Sequence, residues 1–176
     1  GTATVTGAGA TWTNSSNLAV GGSGAGVGEL TVADGGAVSN VNGTIGSSNN
    51  ANGRVTVTGT GSSWTNSGIL FLANNGTGAL TVADGGLVAA ATTIVAQDAT
   101  GTGVLRLESG GTLVTQQIWK GAGAGSVVFD GGILRLTGNR PDLFTGFAAG
   151  TIILDAGGGT IDTGGFEVAT GFGLAG

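Results

Sequence analysis

The sequence has no cysteine, no histidine, no methionine and no tyrosine, a single proline, and charged side chains at only 9% of its 176 positions. Without cysteine or histidine the chain lacks the usual zinc ligands, the thiol nucleophile and the commonest general base, so neither an enzyme nor a cofactor or metal protein is expected. The absence of cysteine also suits export through an oxidising compartment. The five cationic residues, Arg54, Arg106, Lys120, Arg135 and Arg140, are scattered and the net charge is −5, which leaves no basic stripe for a nucleic-acid backbone. Glycine interrupts every apolar stretch before it reaches the length of a membrane-spanning helix, so no transmembrane segment is expected. Residue 1 opens directly in a repeat, without a charged or apolar leader, and the reading is of a mature segment or a fragment of a longer protein.

What is abundant is glycine, 40 residues of it, which without a period would indicate a low-complexity chain. A period exists. "LTVADGG" occurs at 30–36 and again at 80–86, and "TGAGATWTNS" (6–15) matches "TGTGSSWTNS" (58–67), so a unit of about 50 residues is duplicated. Inside it runs a step of 25: Val32, Val57, Val82 and Leu107 form one column, with Val5 27 residues before Val32, and Leu30, Val55, Leu80 and Leu105 form another. A further column reads Leu18, Ile45, Leu70 and Val95, and a last one Thr11, Val38, Ser63, Val88 and Leu113.

Each unit holds three short alternating segments, such as "LTV", "AVSNV" and "GTIG", separated by Gly, Asn, Asp and Ser, which accept left-handed or side-chain-supported turns. Three strands and three turns per unit make one rung of a parallel β-helix, an all-β solenoid with about 25 residues per rung. The crossover rule for parallel strands predicts a right-handed coil. The framework of leucine-rich repeats is absent, and the 25-residue columns argue against the longer blade of a β-propeller. A single domain is expected over 1–176, with regular rungs over 1–116 and less regular ones over 117–176. Within the latter, 137–150 breaks the columns and holds the proline, as either a protruding loop with a role of its own or a wider corner.

The strings "VTGTGSSWTNSG", "LTVADGG", "NRPDLFTGF" and "GGGTIDTGGFEV", in that order, resemble passenger domains of bacterial type V autotransporters, in the group with autotransporter-associated β-strand repeats. The resemblance covers nearly the whole chain. It implies display at the bacterial cell surface (outer membrane) or secretion, and a C-terminal translocator barrel in the full-length protein. It also implies a role in adhesion, aggregation or biofilm formation, through host-cell surface, extracellular-matrix or glycan ligands or through self-association. A secreted effector that binds a host receptor, through "NRPDLFTGF", is the alternative.

Candidate sites follow from the columns. Asp34 and Asp84 occupy equivalent turns two rungs apart, roughly 9–10 Å at the usual strand spacing, a separation open to an inverting glycosidase. Gly59 stands between them, however, and "ADGG" is a turn in which Asp is locally favoured, so a solvated turn is the preferred reading. "GGGTID" (157–162) approaches a calcium nonapeptide but has no adjoining copy, Lys120 does not sit in a phosphate-binding loop, and no GxSxG nucleophile motif occurs. Trp12 and Trp64 share a column reading Trp12, Ser39, Trp64, Ala89 and Val114. Facing outward they would form a binding platform; facing inward, the preferred alternative, each indole would pack against a small residue of the next rung. Arg140, Asp142 and Phe144, from "NRPDLFTGF", complete the candidate binding residues, and Trp119 is expected to cover the stack where the period decays.

Overall fold

In a computed structural model, which describes residues 1–171, the alternating segments become strands and the glycine-rich strings become corners. The final positions of the expected domain, 172–176, lie outside the described residues. Twenty strands, numbered in chain order, form three parallel sheets among the described residues. The first sheet holds β1 (Thr2–Thr6), β4 (Val27–Ala33), β7 (Asn52–Thr58), β10 (Thr77–Ala83), β13 (Thr102–Glu108), β16 (Ala124–Asp130) and β19 (Ile152–Leu154). The second holds β2 (Thr11–Thr13), β5 (Ala37–Asn40), β8 (Ser63–Asn66), β11 (Leu87–Ala89), β14 (Thr112–Thr115), β17 (Gly132–Leu136) and β20 (Gly159–Asp162). The third holds β3 (Leu18–Val20), β6 (Gly43–Ile45), β9 (Ile69–Leu72), β12 (Thr92–Val95), β15 (Ile118–Lys120) and β18 (Phe144–Thr145). Each turn of the chain adds one strand to every sheet, and the result is a parallel β-solenoid of about six turns with rungs about 25 residues apart.

The first-sheet columns stack as the period requires. Val5, Val32, Val57, Val82, Leu107, Phe129 and Leu154 are successive partners, as are Ala3, Leu30, Val55, Leu80, Leu105, Val127 and Ile152. No single rung can bury such a row; stacking does, and the ladder from Leu30 to Ile152 is almost wholly removed from water.

The other two columns need correction. In the second sheet the inward ladder is Trp12, Val38, Trp64, Val88, Leu113, Leu134 and Ile161. Thr11 and Ser63 belong to the outward row, and so do Ser39, Ala89 and Val114. The cause is corner length. Thr6 to Thr11 spans one residue more than Ala33 to Ala37, although both pairs are ladder partners, and a slip of one residue exchanges the two faces of a strand. In the third sheet, Leu18, Gly43, Leu70, Thr93, Ile118 and Phe144 form one ladder and Val20, Ile45, Leu72, Val95 and Lys120 another. The column Leu18, Ile45, Leu70 and Val95 mixes the two, with an offset of two residues that keeps every member inside. At the end of the second ladder, Lys120 keeps its stem with the aliphatic row while Nζ donates to the carbonyls of Gly121 and Gly123, each at 2.9 Å.

Within 137–150, residues 137–143 form a widened corner between the second and third sheets, and β18 then rejoins the solenoid. Phe144 and Thr145 pair with Ile118 and Trp119, and Leu143, Phe144 and Phe147 lie in the core, where the two phenyl rings meet edge to face at 6.1 Å.

Candidate functional site

The tryptophan pair divides. Trp64 is wholly buried, and its indole fills the space that a side chain at position 43 would take: a Cβ on Gly43 would come within 2.7 Å of Trp64 Cζ2. The small residue that accommodates the indole is therefore a glycine of the adjoining sheet, rather than Ser39 or Ala89. Trp64 Nε1 donates to Asn40 Oδ1 at 2.7 Å, Asn40 Nδ2 donates to Asn66 Oδ1 at 2.6 Å, and Asn66 Nδ2 donates to the Ala89 carbonyl at 3.3 Å. This buried amide chain satisfies the polar groups that come inside with the indole. Trp12 belongs to the same inward ladder, at the first of the described rungs, and 37% of it is exposed. The two residues do not make one platform.

Asp34 and Asp84 sit in the corners that follow the first sheet, with φ of 52° at both. Gly7, Gly59, Ser109 and Gly131 occupy the same corner of other rungs, and all have φ between 39° and 99°. The corner demands a left-handed residue, which glycine supplies freely and aspartate tolerates. Each carboxylate accepts a hydroxyl hydrogen bond from the preceding rung: Thr6 Oγ1 donates to Asp34 Oδ2 at 2.9 Å, and Thr58 Oγ1 to Asp84 Oδ2 at 3.0 Å. Both acids are thus tied to turn support. In "GGGTID", the Asp162 carboxylate pairs with Arg135 at 2.8 Å. That hydrogen bond, aided by the Gly164 N–H, holds the Asp162 carboxyl below its ordinary value of 3.8.

Arg140, Asp142 and Phe144 do not converge. Phe144 is in the core, Asp142 is exposed, and Arg140 is half-buried with Nε unpaired while its backbone bridges to the segment around Val168. The backbone carbonyl of Asp142 accepts from Gln117 Nε2 at 3.1 Å and from Thr145 Oγ1 at 3.0 Å, which holds the widened corner against β15.

Two surface features were not visible in the columns. Trp119 faces outward from the third sheet with 36% of its surface exposed, instead of covering the stack. Its ladder partners are Ile94, then Phe71, then Thr44 on one side and Thr145 on the other, so three large apolar side chains line up along the axis on successive rungs. The steps between them are unequal, 27 residues from Thr44 to Phe71 and 23 from Phe71 to Ile94, which hides the stripe from a fixed period. The second feature is a notch lined by Asn49, Asn50, Asn75, Gly76, Thr77 and Thr100, on the corners that lead from the third sheet to the first. Comparison with protein-family models, with curated proteins and with solved structures returns no match.

Proposed function

We propose that the chain is a non-enzymatic β-solenoid of the bacterial passenger type, displayed at the cell surface or secreted, that serves as a rigid stalk and an adhesive surface in adhesion, aggregation or biofilm formation. The observation that supports this reading most is the outward stripe of half-buried Phe71 and Ile94 and exposed Trp119, three apolar side chains held in register by the ladders that join their strands. Scattered apolar residues on a surface are ordinary, whereas a continuous row is a contact feature. A solenoid suits such contact because every rung repeats the same backbone, so the spacing of the row is set by the fold rather than by loop conformation. The resemblance to autotransporter passengers adds the expected setting, with a translocator barrel encoded downstream.

The test is adhesion by the purified chain on beads. Beads carrying it should aggregate with one another or settle on bacterial or host-cell surfaces, and the double substitution of Phe71 and Trp119 by serine should abolish this while the β-rich circular dichroism spectrum is kept. Adhesion that is unchanged in the double variant, or absent in the parent, removes the proposal. The sequence downstream of Gly176 tests the export route, since a short sorting signal in place of a barrel would replace it.

A further inference from the structure

We propose that the notch on the third corner, together with the aromatic stripe beside it, binds a neutral, hydroxyl-rich saccharide. This names a ligand class for the adhesive surface proposed above and rests on that reading.

The notch is a consequence of corner length. Ile45 and Leu72 are ladder partners, as are Asn52 and Thr77, yet the chain takes two residues fewer from Leu72 to Thr77 than from Ile45 to Asn52. The corner of the next rung, from Val95 to Thr102, is again the longer kind. A short corner therefore lies recessed between two long ones. Thr100 reaches over it, with Oγ1 at 3.2 Å from Asn49 Oδ1, although 51 residues separate the two in sequence. The same hydroxyl lies 3.0 Å from the backbone carbonyl of Asn75. The space enclosed is about 370 Å³, a size at which small-molecule sites begin.

Its chemistry is unfinished. Asn75 Oδ1 in the floor is buried without a hydrogen-bond partner, and Asn74 Oδ1 and Gln97 Oε1, in the same stack of corners, are in the same state. A buried acceptor without a donor is costly, and of the three only Asn75 lines the notch, where a ligand hydroxyl can supply the donor it lacks. The lining consists of amides, hydroxyls and glycine, so an anion or a cation would enter without a counter-charge. Of the ionisable types, these three corners carry only Asp98, which is exposed and disfavours acidic ligands.

The stripe supplies the complementary half. Phe71 and Ile94 belong to the strands that run into the recessed corner and its neighbour, so a line of apolar side chains and a line of amides run side by side along the axis. A pyranose ring has the matching division, an apolar C–H face that stacks on aromatic side chains and a rim of hydroxyls that pair with amides. Spacing along both lines is the rung step, so an extended oligosaccharide can lie parallel to the axis.

The experiment is calorimetric titration of the whole chain with six-unit oligosaccharides of glucose, mannose, galactose and N-acetylglucosamine, with heparin as the acidic control. At least one neutral hexasaccharide should bind and heparin should not. Asn75→Ala and Thr100→Val should each weaken binding by about fivefold or more, the loss expected for one hydrogen bond, and Phe71→Ala with Trp119→Ala should weaken it as well. Should Asn75→Ala fail to fold, Thr100→Val carries the test, because it exchanges an exposed hydroxyl for a methyl group. Binding by none of the neutral hexasaccharides, equal binding in Thr100→Val, or heparin binding as tight as theirs overturns the inference. Bead adhesion that persists without saccharide binding overturns it alone, whereas loss of both removes the adhesive reading too.

Discussion

Trp64 reaches across one rung of the solenoid to Asn40, donating Nε1–H to Oδ1 at 2.7 Å, in a region from which water is fully excluded for the indole. The largest side chain of the core is thereby fixed by a polar chain that continues through Asn66. Replacing Asn40 by leucine leaves the indole N–H and Asn66 Oδ1 without their partners, and a stability loss of about 2–4 kcal/mol is expected in urea unfolding. Trp64→Ala should cost about 3–5 kcal/mol, through lost transfer energy and the cavity left behind.

Gly43 and Trp64 share one volume. Gly43→Val forces the indole out of its place and should destabilise by at least about 1–3 kcal/mol, the usual cost of overpacking. Near-ultraviolet circular dichroism of the buried tryptophan checks it, since a displaced ring loses its ordered signal while the far-ultraviolet spectrum remains.

Ser109 is exposed and held at φ 39°, in the corner where other rungs place glycine or aspartate. Ser109→Gly removes backbone strain and sacrifices no buried surface. Thermal stability should rise, by up to about 1 kcal/mol. The same change at Ala96, where φ is 52° but the methyl group is buried, should gain less.

The Asp162 carboxyl is held below 3.8 by Arg135 and the Gly164 N–H. A depressed folded-state value means that this contribution is present in full above the unfolded value and is lost as pH falls through the folded one. The window therefore lies below about pH 4. Arg135→Leu should move the Asp162 titration, followed by carboxyl carbon NMR, upward toward 3.8. Because the two side chains are 50% and 40% exposed and solvent screens the pair, the accompanying change in melting temperature should be small.

The architecture was legible in the sequence because a solenoid repeats its local rule. Alternating apolar residues, turn formers at the corners and a 25-residue step are all local statements, and together they require stacked parallel strands. Val32, Val57 and Val82 illustrate this, since their strands meet equal spacing on both sides. The Trp64 ladder departs from the fixed period for the opposite reason. A corner one residue longer, in "VTGTGSSW" (57–64) against "VADGGAV" (32–38), passes unnoticed in a period of that length, yet it exchanges inside for outside.

The sequence by itself determined the class of fold, the rung length, the first-sheet ladders and the left-handed corner that Asp34 and Asp84 occupy. Tertiary structure alone decided which tryptophan is buried, that Gly43 makes room for it, that Phe71, Ile94 and Trp119 align, and that a short corner between two long ones leaves a polar notch. The physical reason is that strand pairing fixes register rung by rung, through hydrogen bonds and packing across the sheet, and the chain absorbs every mismatch in length at the corners.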